Sequence, residues 1–475
     1  MFGFINSLYN YGKLFFHLYQ MEKELPDVSI KNVDILFNII NHCGAVCIKF
    51  SQWILPIIDI YFIKDDTKPR WFTHMEKIYD KCLTHPEEYT KNIYNKDFLK
   101  DNENGIEFDE KYEILELIAS GSIGQVYKIR KLVTDEIFAM KVVHPEVRSQ
   151  IKHFQILLNF VLFIPQIRNY LKKNLPIDLT GFINEFHIQT NMINEANNMC
   201  EFYNSYKDCK KYIIPLTIGF SQNILIMEYN EGINFDDMNE ISNYTKKKII
   251  SYLILHGKNN ENLNLIHGDV HRGNWSIKIN SDNDYSILVY DFGITLSFKY
   301  SDLYIFQKCN DLFQNQDEKC SDLEPLVDFV CFFMEFEDSE KVNAIKYLTE
   351  KKKNDPKLLK LNPKKFFTIL LDLAKINDYS LNISSLRLII ILVQMYKFYE
   401  KYYRSESTDI VNEVFRNRLT ENYTICKSEN ICPNYMKYLE TELNNKNKKI
   451  DSLFSFNSDL INGNLELLKE IKKNV

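Results

Sequence analysis

Ile266-His-Gly-Asp-Val-His-Arg-Gly-Asn274, followed at a short distance by Asp291-Phe-Gly293, sets two carboxylates and one amide in the order that phosphoryl transfer requires. Asp269 and Asn274 are five residues apart, the spacing at which a catalytic loop pairs a group for the acceptor hydroxyl with a metal-binding amide. Asp291 opens the triplet that supplies the second metal ligand, and the apolar run Ile287-Leu-Val-Tyr290 predicts the strand that delivers it. His267 is expected to brace the loop from below. His267 and His271 are four apart, a zinc spacing on a helix, but Gly268 and Gly273 argue for a loop instead.

Phosphoryl transfer leaves a protein little covalent work, so the rest of the chain must supply a phosphate cradle and a lysine. Ala119-Ser-Gly121-Ser122-Ile-Gly124-Gln-Val126 has the pattern of a glycine-rich turn, where missing side chains let backbone amides approach phosphate oxygens and Val126 covers the adenine. By itself such a turn is as well read as a small-residue hairpin. Phe138-Ala-Met-Lys141 then follows 15 residues after Val126, the place of a nucleotide-binding lysine. Glu195, in Asn194-Glu-Ala-Asn197, is the carboxylate expected to hold Lys141, with Asn191 four residues earlier on the same helix face. Glu228, in the strand before a hinge at Glu231-Gly232, joins the nucleotide-binding candidates.

Around these motifs the chain divides into three. Residues 31–60 carry apolar positions at helical spacing, with a bend or end expected at Pro56, and a charged helical segment continues to about residue 100. The polar run Lys100 to Gly105 reads as a linker. Strands are predicted over Tyr112–Ile118, Gln125–Arg130, Ile137–Val143, Ile213–Phe220, Asn223–Tyr229, Trp275–Ile279 and Ile287–Tyr290, with residues 150–206 mostly helical and broken at Pro165 and Pro176. The expected fold is α+β and two-lobed, protein kinase-like. A helical N-terminal extension (1–105) packs over the active site, a β-rich small lobe with a helical insertion spans 106–232, and a helical large lobe spans 233–475.

With 475 residues the chain is long enough for several lobes, and its 45% hydrophobic and 14% aromatic content suits a globular protein. A net charge of -6 gives no basic footprint for nucleic acid. The ten cysteines form no disulfide framework and point to a reducing, intracellular compartment. Cys43 and Cys47 beside His42, and Cys426 with Cys432, fall short of a four-ligand zinc set. Apolar runs such as Leu388–Val393 and Phe329–Met334 are too short for a transmembrane helix. Met1–Gln20 is aromatic and amphipathic, lacks the arginines of a transit peptide, and reads as a helix packed on the body, with peripheral membrane contact as the alternative. The polar run Asn444 to Lys449 reads as a solvated loop.

In this order the motifs resemble the UbiB/AarF-domain family of atypical kinase-like proteins, over roughly residues 35–300. Gly44-Ala-Val-Cys-Ile-Lys49-Phe-Ser51-Gln52 is similar to the family's Lys-x-Gly-Gln helix, which implies that Lys49 and Gln52 form a regulatory lid over the cleft and block a peptide groove. Val143-His-Pro-Glu-Val147 and Gln189 to Asn197 are similar to its segments after the lysine strand and around the lysine's partner. Four positions depart from the family pattern: Ser51 for glycine, Gly121 for alanine, Asn191 for aspartate and Arg272 for proline.

The resemblance implies ATP and Mg2+ as cofactors, Asp269, Lys141 and Glu195 as catalytic residues, Asn274 and Asp291 as metal ligands, and Ala119, Gly121, Ser122, Gly124, Val126 and Glu228 around the nucleotide. It implies an atypical kinase or ATPase acting on, or regulated by, a lipid or quinone-pathway small molecule or protein. The absence of an Ala-Pro-Glu signature after Gly293 argues against peptide substrates. Two further readings stand beside it: a small-molecule phosphotransferase of the aminoglycoside or choline kinase type, which would lack the Lys49–Gln52 helix, and a non-catalytic nucleotide-binding scaffold.

Overall fold

The computed structural model describes residues 2–25, 27–61, 69–79, 82, 84–99, 105–174, 176–238, 241–270, 272–281, 284–297, 323–355, 358, 363–392, 427, 436–441 and 443–444. Most of the Lys100–Gly105 linker, His271, Cys426, Cys432 and residues 445–449 of the polar tail lie outside this set.

Helices α1 (Phe2–Glu22), α2 (Ile30–Cys43), α3 (Ala45–Tyr61) and α4 (Arg70–Met75) come first, then a 3-10 turn at Glu76–Tyr79. They share a core of Tyr11, Met21, Val33, Leu36, Ile48 and Phe72. A single helix bent at Pro56 is not what forms. The break falls at Gly44, whose φ of 90° few side chains tolerate, and α3 runs through Pro56 to Tyr61. The Gly44 amide caps α2 by donating to Ile40 and Asn41 at 3.2 Å each.

Helices α5 (Glu87–Leu99) and α6 (Phe108–Lys111) lead into strands β1 (Tyr112–Ser120), β2 (Gly124–Lys131) and β3 (Ile137–Val143). Four helices follow: α7 (Val147–Phe163), α8 (Pro165–Asn174), α9 (Leu179–Gln189) and α10 (Met192–Tyr206). Then come β4 (Tyr212–Ile213), β5 (Thr217–Phe220) and β6 (Ile224–Glu228). Five strands make an antiparallel sheet in the order β1-β2-β3-β6-β5.

Alternation along the strands assigns the two faces of this sheet. Phe138, Met140 and Val142 of β3, with Ile224 and Ile226 of β6, pack under Tyr94 of α5 and Phe108 of α6. Ala139, Val143, Leu225 and Met227 face the large central core instead. Lys141, between Met140 and Val142, therefore turns to the central side.

The strand expected over Ile213–Phe220 is divided. β4 pairs in parallel with β9 (Asp284–Val289), matching Tyr212 to Ile287, whereas β5 joins the five-stranded sheet. Pro215 lies between them, and a residue without an N–H cannot carry one ladder through. Beyond β6 come α11 (Asn243–Leu263), β7 (Ile266–His267), β8 (Trp275–Ser281), β9 and β10 (Thr295–Leu296). β8 and β9 form an antiparallel hairpin, and β7 pairs with β10. The helices Glu324–Met334, Asp338–Asn354 and Pro363–Ile376 complete the central core through Phe329, Phe333, Phe366 and Leu370. Among the described residues no helix is long and apolar enough to cross a membrane.

Candidate active site

The sheet face that carries Lys141 meets the ends of β7 and β9. Lys141 Nζ donates to Glu195 Oε1 and Oε2 at 2.8 and 2.9 Å, and lies 3.2 Å from Asp291 Oδ1. One ammonium thus bridges a carboxylate from α10 and a carboxylate from the segment after β9. Two carboxylates sharing one cation cannot both be equally well compensated, and exposure decides between them. The Glu195 side chain is 2% exposed and that of Asp291 42%.

Burial, reinforced by the like charge of Asp291, outweighs Lys141 and pushes the Glu195 carboxyl up to about 7. Burial acts on Asp291 in the same direction but is overcome by Lys141 and Lys49, so its pKa is lowered. For Lys141, burial pulls downward and the two carboxylates prevail, so its pKa is raised.

Asp269 follows β7, where the chain leaves the short β7–β10 ladder. Its amide donates to His267 Nδ1 at 3.2 Å, so His267 Nε2 carries the proton and donates to the Tyr290 carbonyl at 2.9 Å. His267 thus ties the loop to the residue before Asp291. Phe292 packs edge-on to His267 and 4.8 Å from Phe202 of α10, so the same aromatic contact also joins the helix bearing Glu195. Asn274 Nδ2 donates to the Asp269 carbonyl at 2.8 Å, and the Asn274 carbonyl accepts from the Tyr290 amide at 2.8 Å. Asn274 and Asp291 therefore flank one end of the β8–β9 hairpin. Asp291 has a φ of 55°, an uncommon conformation for a non-glycine residue and one that collects at functional sites.

Lys49 of α3 enters from the N-terminal helices and places Nζ 3.1 Å from Asp269 Oδ2. Gln52, one turn later, donates to the Ile78 carbonyl at 3.1 Å and fastens α3 to the 3-10 turn. In the glycine-containing turn, Ala119 pairs with Val126 and the Gly121 amide donates to the Gly124 carbonyl at 2.9 Å. A Cβ at Gly124 would stand 2.3 Å from the Val142 carbonyl, so only glycine fits where β2 crosses β3. Ser122 is buried and Val126 packs against the central core. Glu228 is exposed, and its main-chain amide donates to the Leu216 carbonyl at 2.9 Å. Asn191 does not share a helix face with Glu195. It precedes α10 as its N-cap, accepting from the Ile193 amide at 3.2 Å, because a short amide side chain satisfies a first-turn donor better there than within the helix.

Sequence reading missed a second polar group on the opposite face of the sheet. His144 Nε2 donates to the Gly121 carbonyl at 3.0 Å, and its Nδ1 lies 2.7 Å from His85 Nδ1. His144 Nδ1 must then accept, so His85 Nδ1 donates and His85 Nε2 is left to accept from the Thr90 hydroxyl at 2.9 Å. Gln125 exchanges two hydrogen bonds with the His85 backbone, at 2.9 and 3.0 Å. Burial lowers His85 to about 4, with His144 contributing, and burial also lowers His144. The two histidines are 59 positions apart and share no local pattern that could have paired them. Among the described residues no group of three or more His, Cys, Asp or Glu side chains is arranged to hold a metal ion without help from other ligands.

Comparison with known proteins identifies the family of the chain. A model described as the ABC1 atypical kinase-like domain matches residues 80–321. An uncharacterized aarF domain-containing protein kinase, chloroplastic, of Arabidopsis thaliana is 25% identical over 145 residues, 30% of this chain and 21% of that protein. A putative ABC transporter of Paramecium bursaria Chlorella virus 1 is 25% identical over 313 residues, covering 63% of this chain and 59% of that one. A serine/threonine-protein kinase of Arabidopsis thaliana is 24% identical over 211 residues, 42% of this chain and 37% of its own. The chain thus spans less than two thirds of the curated relatives it matches. Among solved structures, the Rv3197–erythromycin complex from Mycobacterium tuberculosis aligns over 67% of this chain and 83% of that one, with a TM-score of 0.39 and 15% identity.

Proposed function

We propose, since the chain belongs to the ABC1 atypical kinase-like family, that it binds magnesium-ATP and transfers or hydrolyses its terminal phosphoryl group. The observation that carries the reading is the bridge from Lys141 to both Glu195 and Asp291. It brings a cation from the sheet and an acidic oxygen from beyond β9 to one point. In this reading residues 106–232 and 233–475 form two lobes and residues 1–105 a lid.

Asn274 and Asp291 offer hard oxygen donors at one end of a hairpin, the chemistry magnesium selects, and they are the residues that would hold it. Bound there, the metal would neutralise charge on the phosphate oxygens. Lys141, steadied by Glu195, orients the phosphates, and the Ser122 and Ile123 amides, inside the turn that Gly121 and Gly124 close, approach their oxygens. Asp269 accepts the proton of the attacking hydroxyl or water as that oxygen bonds to the terminal phosphorus, and the bridging bond breaks to release ADP. Val126 lines the adenine side of the cleft, and Glu228 ends β6 just before the hinge at Glu231-Gly232.

Lys49 occupies a carboxylate oxygen of Asp269, the group this reading gives to the acceptor, and its helix resembles one that closes a peptide groove. This supports a small acceptor over a peptide, and a role in lipid or quinone metabolism is our reading of that preference. It also favours a second reading, a nucleotide-responsive scaffold in which Asp269 is held out of use.

Labelled ATP and magnesium supplied to the wild type and to Asp291→Asn test the first reading. Turnover lost in the variant supports it, and equal turnover in both removes it. A magnesium-ATP thermal shift without any turnover selects the scaffold. At a hundredfold excess over the dissociation constant that shift corresponds to about 2.7 kcal/mol.

A further inference from the structure

Helix α1 is apolar on two opposite sides, and among the described residues only one of them is covered. Tyr11, His17 and Met21 are buried, with Tyr11 edge-on to Phe154 of α7 at 5.6 Å and His17 Nε2 donating to the Asn32 carbonyl at 2.8 Å. The other side carries Ile5, Leu8, Tyr9, Phe15, Phe16 and Tyr19, spaced so that they form one stripe. Each of the six is between 41% and 64% exposed, and Gly12 in their midst faces open space. Isolated exposed apolar residues are ordinary, but a contiguous stripe over four turns marks a binding surface.

Charge identifies what covers it. Residues 2–21 contain no aspartate or glutamate. Lys13 Nζ sits 4.3 Å over the Tyr9 ring and Lys23 Nζ 4.3 Å over the Tyr19 ring. Aromatic rings with lysines at the rim match the boundary between acyl chains and anionic headgroups. A second copy of the chain fits less well. Residue 12 is the midpoint of the stripe, so antiparallel pairing of two α1 helices would bring both Lys13 ammoniums together with no carboxylate on residues 2–21 to compensate. The helix does not meet the requirements for a membrane span, and its inner side is already occupied, so it must lie flat.

We infer that α1 docks the protein on an anionic lipid bilayer through the Ile5–Tyr19 stripe. The inference stands independently of nucleotide chemistry, and its test uses none, so either reading can fail alone. Full-length protein is floated with vesicles of phosphatidylcholine, with and without phosphatidylserine. The wild type is expected to float with the anionic vesicles. Lys13→Glu with Lys23→Glu should weaken partitioning by roughly tenfold or more. Phe15→Asp with Phe16→Asp should abolish it; both positions are exposed, so circular dichroism should be unchanged. In a Phe16→Trp variant, emission should shift to the blue on anionic vesicles and be quenched by brominated acyl chains. Three results would each overturn the proposal: no flotation of the wild type, flotation with unchanged Trp emission, or a dimer that Phe15→Asp with Phe16→Asp dissociates while vesicles are ignored.

Discussion

The two faces of the five-stranded sheet carry polar clusters that meet burial in opposite ways. On the central side formal charges are brought together, Lys49 against Asp269 and Lys141 shared between Glu195 and Asp291. On the outer side, His85, His144, Gln125 and Thr90 are joined by hydrogen bonds, with burial holding both imidazoles neutral. In the proposed function the charged cluster exchanges partners, with Lys141 turning to phosphate and Asp291 to a metal while Glu195 stays on Lys141. The neutral cluster is suited to hold still: its endpoint is the Gly121 carbonyl, in the turn that the first cluster needs in place. Reactive charge therefore sits on one side of the strands and fixed geometry on the other.

Removing one partner from the charged side should have the largest effect. Glu195→Ala leaves the Lys141 ammonium buried with Asp291 alone, and we expect a stability loss of about 3–5 kcal/mol in urea unfolding. An unchanged midpoint would mean that the pair is not compensated as described. On the neutral side His144→Phe keeps the ring volume but strands His85 Nδ1 and the Gly121 carbonyl. Its expected cost is about 1–3 kcal/mol, with a raised KM for ATP and a smaller change in kcat. Loss of kcat alone would place His144 outside the role of holding the turn.

Acid sets the clusters against each other. His85 titrates near 6.5 when unfolded and about 4 when folded. Between those values the unfolded chain binds more protons, so stability should fall as pH drops from 6.5 toward 4, at up to about 1.4 kcal/mol per pH unit for each such group. His144 acts in the same sense, as does His256, which burial between Tyr206 and Tyr212 lowers to about 3. Glu195 has the opposite sign. Raised from 4.5 to about 7, it contributes stability that is present below 4.5 and lost as pH rises through 7. In nucleotide-free protein the urea midpoint should therefore fall on acidification, and Glu195→Gln should make that fall steeper. A fall no steeper in the variant would show that Glu195 does not oppose the histidines.

The smallest effect is expected at Asn191. Removing the cap with Asn191→Ala should cost about 1 kcal/mol, while Asn191→Asp should keep it. A cost shared by both would show that more than capping is involved.

Much of the charged cluster was legible in the sequence because its members sit in short local patterns: Lys141 in a strand of period two, Asp269 in one loop with Asn274, and Asp291 after an apolar run, while Lys49 was reached only through the resemblance of its helix. The neutral cluster was not, since His85 and His144 are brought together by the packing of α5 on the sheet. The misread features have equally specific causes. Apolar periodicity runs smoothly from α2 into α3, and only the backbone angle of Gly44 separates them. Ile213–Phe220 has one strand's composition, yet its two halves serve different sheets on either side of Pro215. Asn191 has the right spacing for a shared face with Glu195, but a helix begins after it rather than before it.

Lys49 and Asp269 are separated by 220 positions of chain. Closing so long a loop adds little free-energy cost, because that cost grows only logarithmically with length, but such contacts form late and slowly. During synthesis the lysine emerges well before the carboxylate it will meet, and all five strands of the sheet emerge between them. Their ion pair can therefore close only after the N-terminal helices have found the loop that ends at Asn274.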